Sequence, residues 1–222
     1  MKIRYLLHGL AICVIVGLAI FGRVKGNSYT DLRKEENYIE QLMVAELPEE
    51  IAIDACGDML EDLPNSPIIL RVIPTEEMEH LFRTGRQKVT IEEIYAGEDL
   101  EIGEDIYLYF NTGSLILGED DVKSIELSFV NVMKKGSEYL VFLSHKVDAL
   151  KESIPVYQLN KNFISPIFSY DDPKARVILP FGEDHTYVPY VEVKENEFFG
   201  ETEKAFEAWE NLKSEMLLAY PK

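Results

Sequence analysis

Cysteine is nearly absent from this 222-residue chain, which holds only Cys13 and Cys56. Cys13 lies inside an apolar stretch and Cys56 far outside it, so no bridge within one chain is expected and a disulfide-scaffold fold is excluded. Basic residues are scarce too. Lys and Arg number 22 against 40 Asp and Glu, for a formal charge of −18. The first 26 residues hold Lys2, Arg4, Arg23 and Lys25 and no acid, which leaves about −22 on the remainder. Such a field repels the phosphates of DNA and RNA and anionic lipid headgroups, so nucleic acid is excluded as a partner. The bland reading of the acidity is solubility; the functional one is loose cation binding or attraction to a basic partner.

The spacings that announce chemistry are missing as well. There is no G-x-S-x-G, no Walker-type loop and no G-x-G-x-x-G. His80 and His145 stand alone, outside any Ser-His-Asp or Cys-His pattern. Cys56 has no histidine near it in sequence and reads as a half-buried structural thiol, not a nucleophile. Glu183-Asp184-His185, beside Asp171-Asp172, is the best-looking ligand cluster, since carboxylates with an imidazole suit a divalent cation. Its spacing fits neither an EF-hand loop nor H-E-x-x-H, so it reads as a solvated acidic loop, and Glu119-Asp120-Asp121 reads the same way. Glu92-Glu93 would supply paired carboxylates, but outward strand positions explain them. Tyr107, Tyr109, Phe110, Phe163, Phe168, Tyr170, Tyr187 and Tyr190 are assigned to a core and its lid before a ligand groove. No catalytic, cofactor-binding or metal-binding residue is assigned, and an enzyme is not expected.

What is present begins at the N-terminus. Residues 5–22 read YLLHGLAICVIVGLAIFG, without a charge, behind the short positive run of Lys2 and Arg4. Eighteen helical residues reach roughly 27 Å, enough for a thin bilayer. This is signal-sequence grammar. Residues 1–26 are therefore expected to be a signal or anchor segment with a transmembrane helix over about 5–22. No cysteine follows it to make a lipobox, and Val24-Lys25-Gly26 is a poor cleavage site, so a retained anchor is expected; a cut near Gly26 would give a secreted form. Arg23, Lys25, Arg33 and Lys34 count against export. The position of the segment, within five residues of the N-terminus, counts for it. The expectation is a single-pass cell-membrane protein with its C-terminal domain extracellular.

Residues 27–65 read as a juxtamembrane helical lead-in. Tyr38, Ile39, Leu42 and Met43 suit a short amphipathic helix ended by Pro48, and Ile51 to Leu60 suit another turn or two. Beyond Pro67 the pattern becomes that of strands. Ile68 to Ile73 is β-rich and closed by Pro74, and 76–83 reads as a helical turn or loop. Gln87 to Tyr95 alternates, with Val89, Ile91 and Ile94 inward around a bulge. In the turn from Gly97 to Asp105, two glycines allow positive φ and Leu100 and Ile102 tuck under the connection. Ile106–Phe110, Tyr139–Leu143 and Ile154–Leu159 are further strands. Residues 161–222 are irregular and rich in Pro and aromatics, with a short strand over 190–193 and a final helix, capped by Thr202, over 202–219.

The order of these elements carries a resemblance. A strand ending in Tyr95-Ala96-Gly97, the Leu100-x-Ile102-Gly103-Glu104-Asp105-Ile106 turn and the Lys135-to-Leu143 strand together resemble small surface-attached proteins of Gram-positive bacteria. Their barrel is similar to the oligonucleotide/oligosaccharide-binding (OB) fold and to the N-terminal domain of tissue inhibitors of metalloproteinases. The resemblance covers roughly residues 66–160 and implies a fold, not an activity. The chain lacks the N-terminal cysteine and disulfide set of those inhibitors, so protease inhibition is not implied. The expected fold is thus α+β, mainly β: an antiparallel five-stranded OB-like barrel over 66–160, an N-terminal membrane helix and a C-terminal amphipathic helix. The expected role is a non-enzymatic, membrane-tethered module contacting a protein or cell-envelope ligand. The alternative is an envelope hydrolase, or its regulator, using a cation at the acidic 171–185 loop.

Overall fold

The computed structural model describes residues 8, 13–23, 38–81, 84–110, 112–113, 115–117, 123–149, 152–172, 175–179 and 187–222. Contacts divide the chain into two units, Met1–Tyr38 and Ile39–Lys222. In the first, residues 13–23 are helical, and Val14, Ile15, Val16, Leu18, Ile20 and Phe21 are all exposed. The expected span over about 5–22 also takes in residues 5–7 and 9–12, which lie outside the described residues. Among the described residues, no helix is long and apolar enough to cross a membrane.

The second unit departs from expectation at its start. The apolar spacing over 38–43 gives a 3₁₀ turn (Tyr38–Gln41) and then a strand, β1 (Met43–Ala45), not one amphipathic helix. Leu42 and Val44, two residues apart, are both buried, which is strand spacing within a run too short to declare itself. Pro48 starts a helix where it was expected to end one. It precedes α1 (Glu49–Asp62), a position where proline's missing N–H costs nothing.

The barrel follows. Its strands are β2 (Ile68–Pro74), β4 (Thr84–Ala96), β5 (Asp105–Phe110), β8 (Tyr139–Val147) and β9 (Val156–Leu159). β2 pairs with β4, β4 with β5, β5 with β9, β9 with β8, and β8 again with β2. The circuit is therefore closed, and in the order in which these five strands occur along the chain it runs 1-2-3-5-4-1, an OB-like barrel. One pairing, β5 with β9, is parallel, so the barrel is not wholly antiparallel as expected. Residues 76–83 contribute β3 (Glu79–Leu81), hairpinned onto β4, in place of a helical turn or loop. The expected bulge in β4 is present: Val72 faces Ile91 and Arg71 faces Glu93, so Glu92 is skipped.

A smaller sheet holds β1 between β11 (Tyr187–Pro189) and β7 (Lys123–Ile125), with β6 (Leu115–Leu117) beyond β7. The strand expected over 190–193 lies three residues earlier, as β11, and Tyr190–Val193 is a helical turn set off by Pro189. β10 (Ile167–Ser169) pairs with β8.

In the turn before β5, Gly97 has φ +130° and a Cβ there would sit 2.8 Å from Leu100 Cδ1. Leu100 is thus the peg under the turn. Ile102 is not: it is 64% exposed.

One apolar cluster joins the barrel residues Leu70, Val72, Val89, Ile91, Ile106, Leu108 and Phe142 to both long helices. The second of these, α2 (Glu203–Ala219), is capped as expected: Thr202 Oγ1 accepts from the Ala205 N–H at 3.2 Å. Its Trp209 is stacked between Phe168 and Phe198, with ring centroids at 4.9 and 5.2 Å. The chain end is held down by side chains of the barrel region. Tyr95 Oη donates to the Pro221 carbonyl, Tyr170 Oη donates to the Tyr220 carbonyl at 2.6 Å, and Lys222 lies 3.4 Å from Glu138.

Candidate functional site

The residues singled out from the sequence do not converge. Cys56 is 4% exposed on the inner face of α1, and burial pushes its thiol up to about 12, which removes it as a nucleophile. His145 is exposed and shares a hydrogen bond with Ser144 Oγ at 2.9 Å. His80 lies in β3. Glu92 sits at the bulge, and Glu93 is 3.5 Å from Arg71. Phe110, Phe168 and Tyr190 are buried, Tyr107 lies under the Arg86 guanidinium at 4.4 Å, and Phe163 and Tyr187 are exposed, so the aromatic set lines no common groove. Glu119-Asp120-Asp121 and Glu183-Asp184-His185 lie outside the described residues. Among the described residues, no group of three or more His, Cys, Asp or Glu is placed to hold a metal.

Asp171 and Asp172 do line a cleft, of about 70 Å³, with Lys134, Ser137, Ser169, Asn196 and Glu197. Its polar groups are largely engaged with one another. Glu197 accepts from the Ser169 N–H at 2.8 Å and from Lys213 Nζ at 2.5 Å. Burial holds its pKa above the ordinary range, against the pull of Lys213. Asn131 Nδ2 donates to the carbonyls of Lys194 and Asn196, and its Oδ1 accepts from Tyr190 Oη. Asn196 pairs with both backbone groups of Val177. This is a polar brace tying Asp171, Val177 and the 194–197 segment together, with room for about two or three waters.

Glu46 is a buried acid that the sequence did not flag. It is 6% exposed, its Oε1 has no hydrogen-bond partner, and burial together with the charge of Glu201 raises its pKa to about 7.

A larger opening lies between the helices. α1 carries two apolar stripes. Ala52, Cys56 and Met59 face the core. Ile53, Gly57 and Leu60, at i, i+4 and i+7, form the second, and among the described residues nothing covers it: Ile53 is 46% and Leu60 42% exposed. A Cβ on Gly57 would meet no atom within 4 Å. Opposite stand Ala208, Asn211, Leu212 and Glu215 of α2, and together they line a groove of about 340 Å³ with Cys56 and Leu212 buried at its base. An exposed glycine inside a helix costs about 0.5–1 kcal/mol relative to alanine. No contact in the fold requires one here, and its effect is to deepen the groove.

The charge around the groove is of one sign. α1 contains six acids and no Lys or Arg. At 100° per residue, Glu50, Asp54 and Glu61 flank the apolar stripe on the side away from the core, with Asp58 beside them. These four and Glu215 are exposed, and among the described residues none forms an ion pair. Glu49, by contrast, is held by Lys204 at 2.9 Å and by Thr202. No protein-family model matches the chain, and no curated protein matches it either, so the groove and the cleft stand on their own geometry.

Proposed function

We propose that this protein is a non-enzymatic binding module of the cell envelope, held to the membrane by its N-terminal helix with the barrel unit on the extracytoplasmic side. The observation that carries the reading is the α1–α2 groove, an open apolar channel of about 340 Å³ whose base is the buried Cys56 and Leu212 and whose wall is the exposed Ile53 and Leu60. An exposed apolar patch rimmed by polar residues is the mark of an interaction surface. The cleft at Glu197 is smaller and internally paired.

The tether is supported by the helix over 13–23. Six of its apolar side chains are at least half exposed, a surface that lipid would cover. The basic residues Lys2, Arg4, Arg23 and Lys25 bracket the uncharged stretch. The barrel circuit is compatible with the resemblance to surface-attached Gram-positive proteins and to the inhibitor domain. A second reading, a cation-dependent hydrolase or regulator at the 171–185 loop, draws support from Asp171 and Asp172 at the cleft. A rise in Tm with calcium or zinc that Asp172→Asn abolishes would favour it.

The test uses cells expressing the full chain with Cys13→Ser and Lys135→Cys. Lys135 is exposed, whereas Cys56 is buried and thiol-inert and stays silent. A membrane-impermeant maleimide should label the chain before lysis; labelling only after lysis overturns the extracytoplasmic placement. In the same cells, a photo-crosslinking residue at Leu60 should trap an adduct that the same residue at His145 does not. Equal adducts, or none, would count against a binding module working through this groove.

A further inference from the structure

We infer that the α1–α2 groove receives a cationic amphipathic helix of a partner protein, an inference that rests on the binding-module reading above and names what the groove binds. The apolar lining fixes the shape of the occupant. Ile53, Gly57 and Leu60 span two helical turns, about 10 Å of axis, and a second row from α2 runs along the other side. A helix presenting apolar residues at i, i+3, i+4 and i+7 lays the same two turns into such a channel. The bare backbone at Gly57 is where a bulky anchor would seat, since the space beyond it is empty to 4 Å.

Charge fixes the chemistry. A docked helix keeps its polar flanks at the rim, where Glu50, Asp54, Asp58 and Glu61 stand on one side and Glu215 on the other. Among the described residues these acids pair with no cation, so each is open to a Lys or Arg of the occupant. The same rim disfavours the other occupants. A second copy docked through this face would set two unpaired acidic rims together, each on a chain of net charge −18. An anionic lipid surface would be repelled for the same reason.

The probe is a fluorescent peptide of about 18 residues built from Leu and Lys with the leucines on one helical face, titrated into the full chain in nanodiscs at about 0.15 M salt. Three peptides accompany it: a scrambled one of identical composition, one with Glu for every Lys, and one with Gln for every Lys. The patterned cationic peptide should bind at least tenfold more tightly than the others. Gly57→Leu should weaken it at least tenfold with Tm unchanged or raised, because a Cβ there meets no atom within 4 Å and leucine favours the helix over glycine. Asp54→Lys with Asp58→Lys should weaken it similarly, and salt should weaken it further. Equal binding of the scrambled peptide, or indifference to Gly57→Leu, would mean diffuse attraction to an acidic surface and would overturn the inference. Tighter binding of the Glu or Gln peptide, still lost in Gly57→Leu, would overturn the cationic assignment and leave the groove reading intact. Concentration-dependent dimerisation abolished by Gly57→Leu would assign the groove to a second copy instead. If no peptide binds and no dimer forms, the groove reading falls with the inference.

Discussion

Replacing Glu46 by glutamine tests the account of the smaller sheet, because it changes one proton and almost no shape. Glu46 follows β1, the residue is 6% exposed, and Oε1 finds no donor. Burial first, and Glu201 second, raise its pKa from the ordinary 4.5 to about 7. In the unfolded chain the proton leaves near 4.5; in the folded chain it stays until about 7. Between those values the folded state binds more protons than the unfolded one, so stability is fully present below about 4.5 and declines as pH rises through 7. At about 1.4 kcal/mol per unit, the loss approaches about 3.5 kcal/mol by pH 8, an upper bound if the strand end opens to water. Glu46→Gln imitates the neutral acid. It should match the unaltered chain near pH 4.5 and exceed it by about 2–3 kcal/mol at pH 8. Urea unfolding followed by Trp209 fluorescence at a series of pH values reads this directly, and the difference between the chains cancels the other carboxylates. Parallel profiles separated by a constant offset would refute the reasoning, since Glu46 would then titrate alike in both states.

Two further perturbations address the brace and the turn. Lys213→Met strips the cation from the buried Glu197 and should cost about 3–5 kcal/mol at pH 8 and less at pH 5, where protonation relieves the carboxylate; the Glu197→Gln, Lys213→Met pair should recover most of the loss, and equal costs at both pH values would contradict the assignment. Gly97→Ala should cost about 2 kcal/mol or more, because φ is +130° and Leu100 Cδ1 is in the way, whereas Gly103→Ala, at φ +87° in open space, should cost about 1 kcal/mol; equal urea midpoints for the two would remove Leu100 as the peg.

The barrel was legible where its signals were local. Gln87 to Tyr95 alternates and places its own bulge, Tyr139 to Leu143 is apolar enough for a central strand, and Thr202 announces α2 through its hydroxyl. β1 and β3 escaped, and β11 was placed three residues late, because three residues carry too little periodicity to separate strand from turn. The parallel β5–β9 contact escaped because closure depends on pairing across some fifty residues of chain. Glu46 looked like one acid among forty, since nothing in the sequence says that the strand end is covered. The groove was hidden in a different way. Ile51 to Leu60 read only as a helical turn or two, and the packing of α2 decides which of its apolar stripes is covered and which is left open. Gly57, inside a helix with no turn to serve, was the available signal.

The central claim is that the protein binds through the α1–α2 groove. Amide chemical shifts of the isotopically labelled full chain, recorded in nanodiscs as the Leu/Lys peptide is added, test it most directly. The changes should cluster at Ile53, Gly57, Leu60, Ala208 and Leu212, and vanish in Gly57→Leu. Changes centred on Asn131, Ser169, Asp171 and Glu197 would move the binding site to the polar cleft and contradict it.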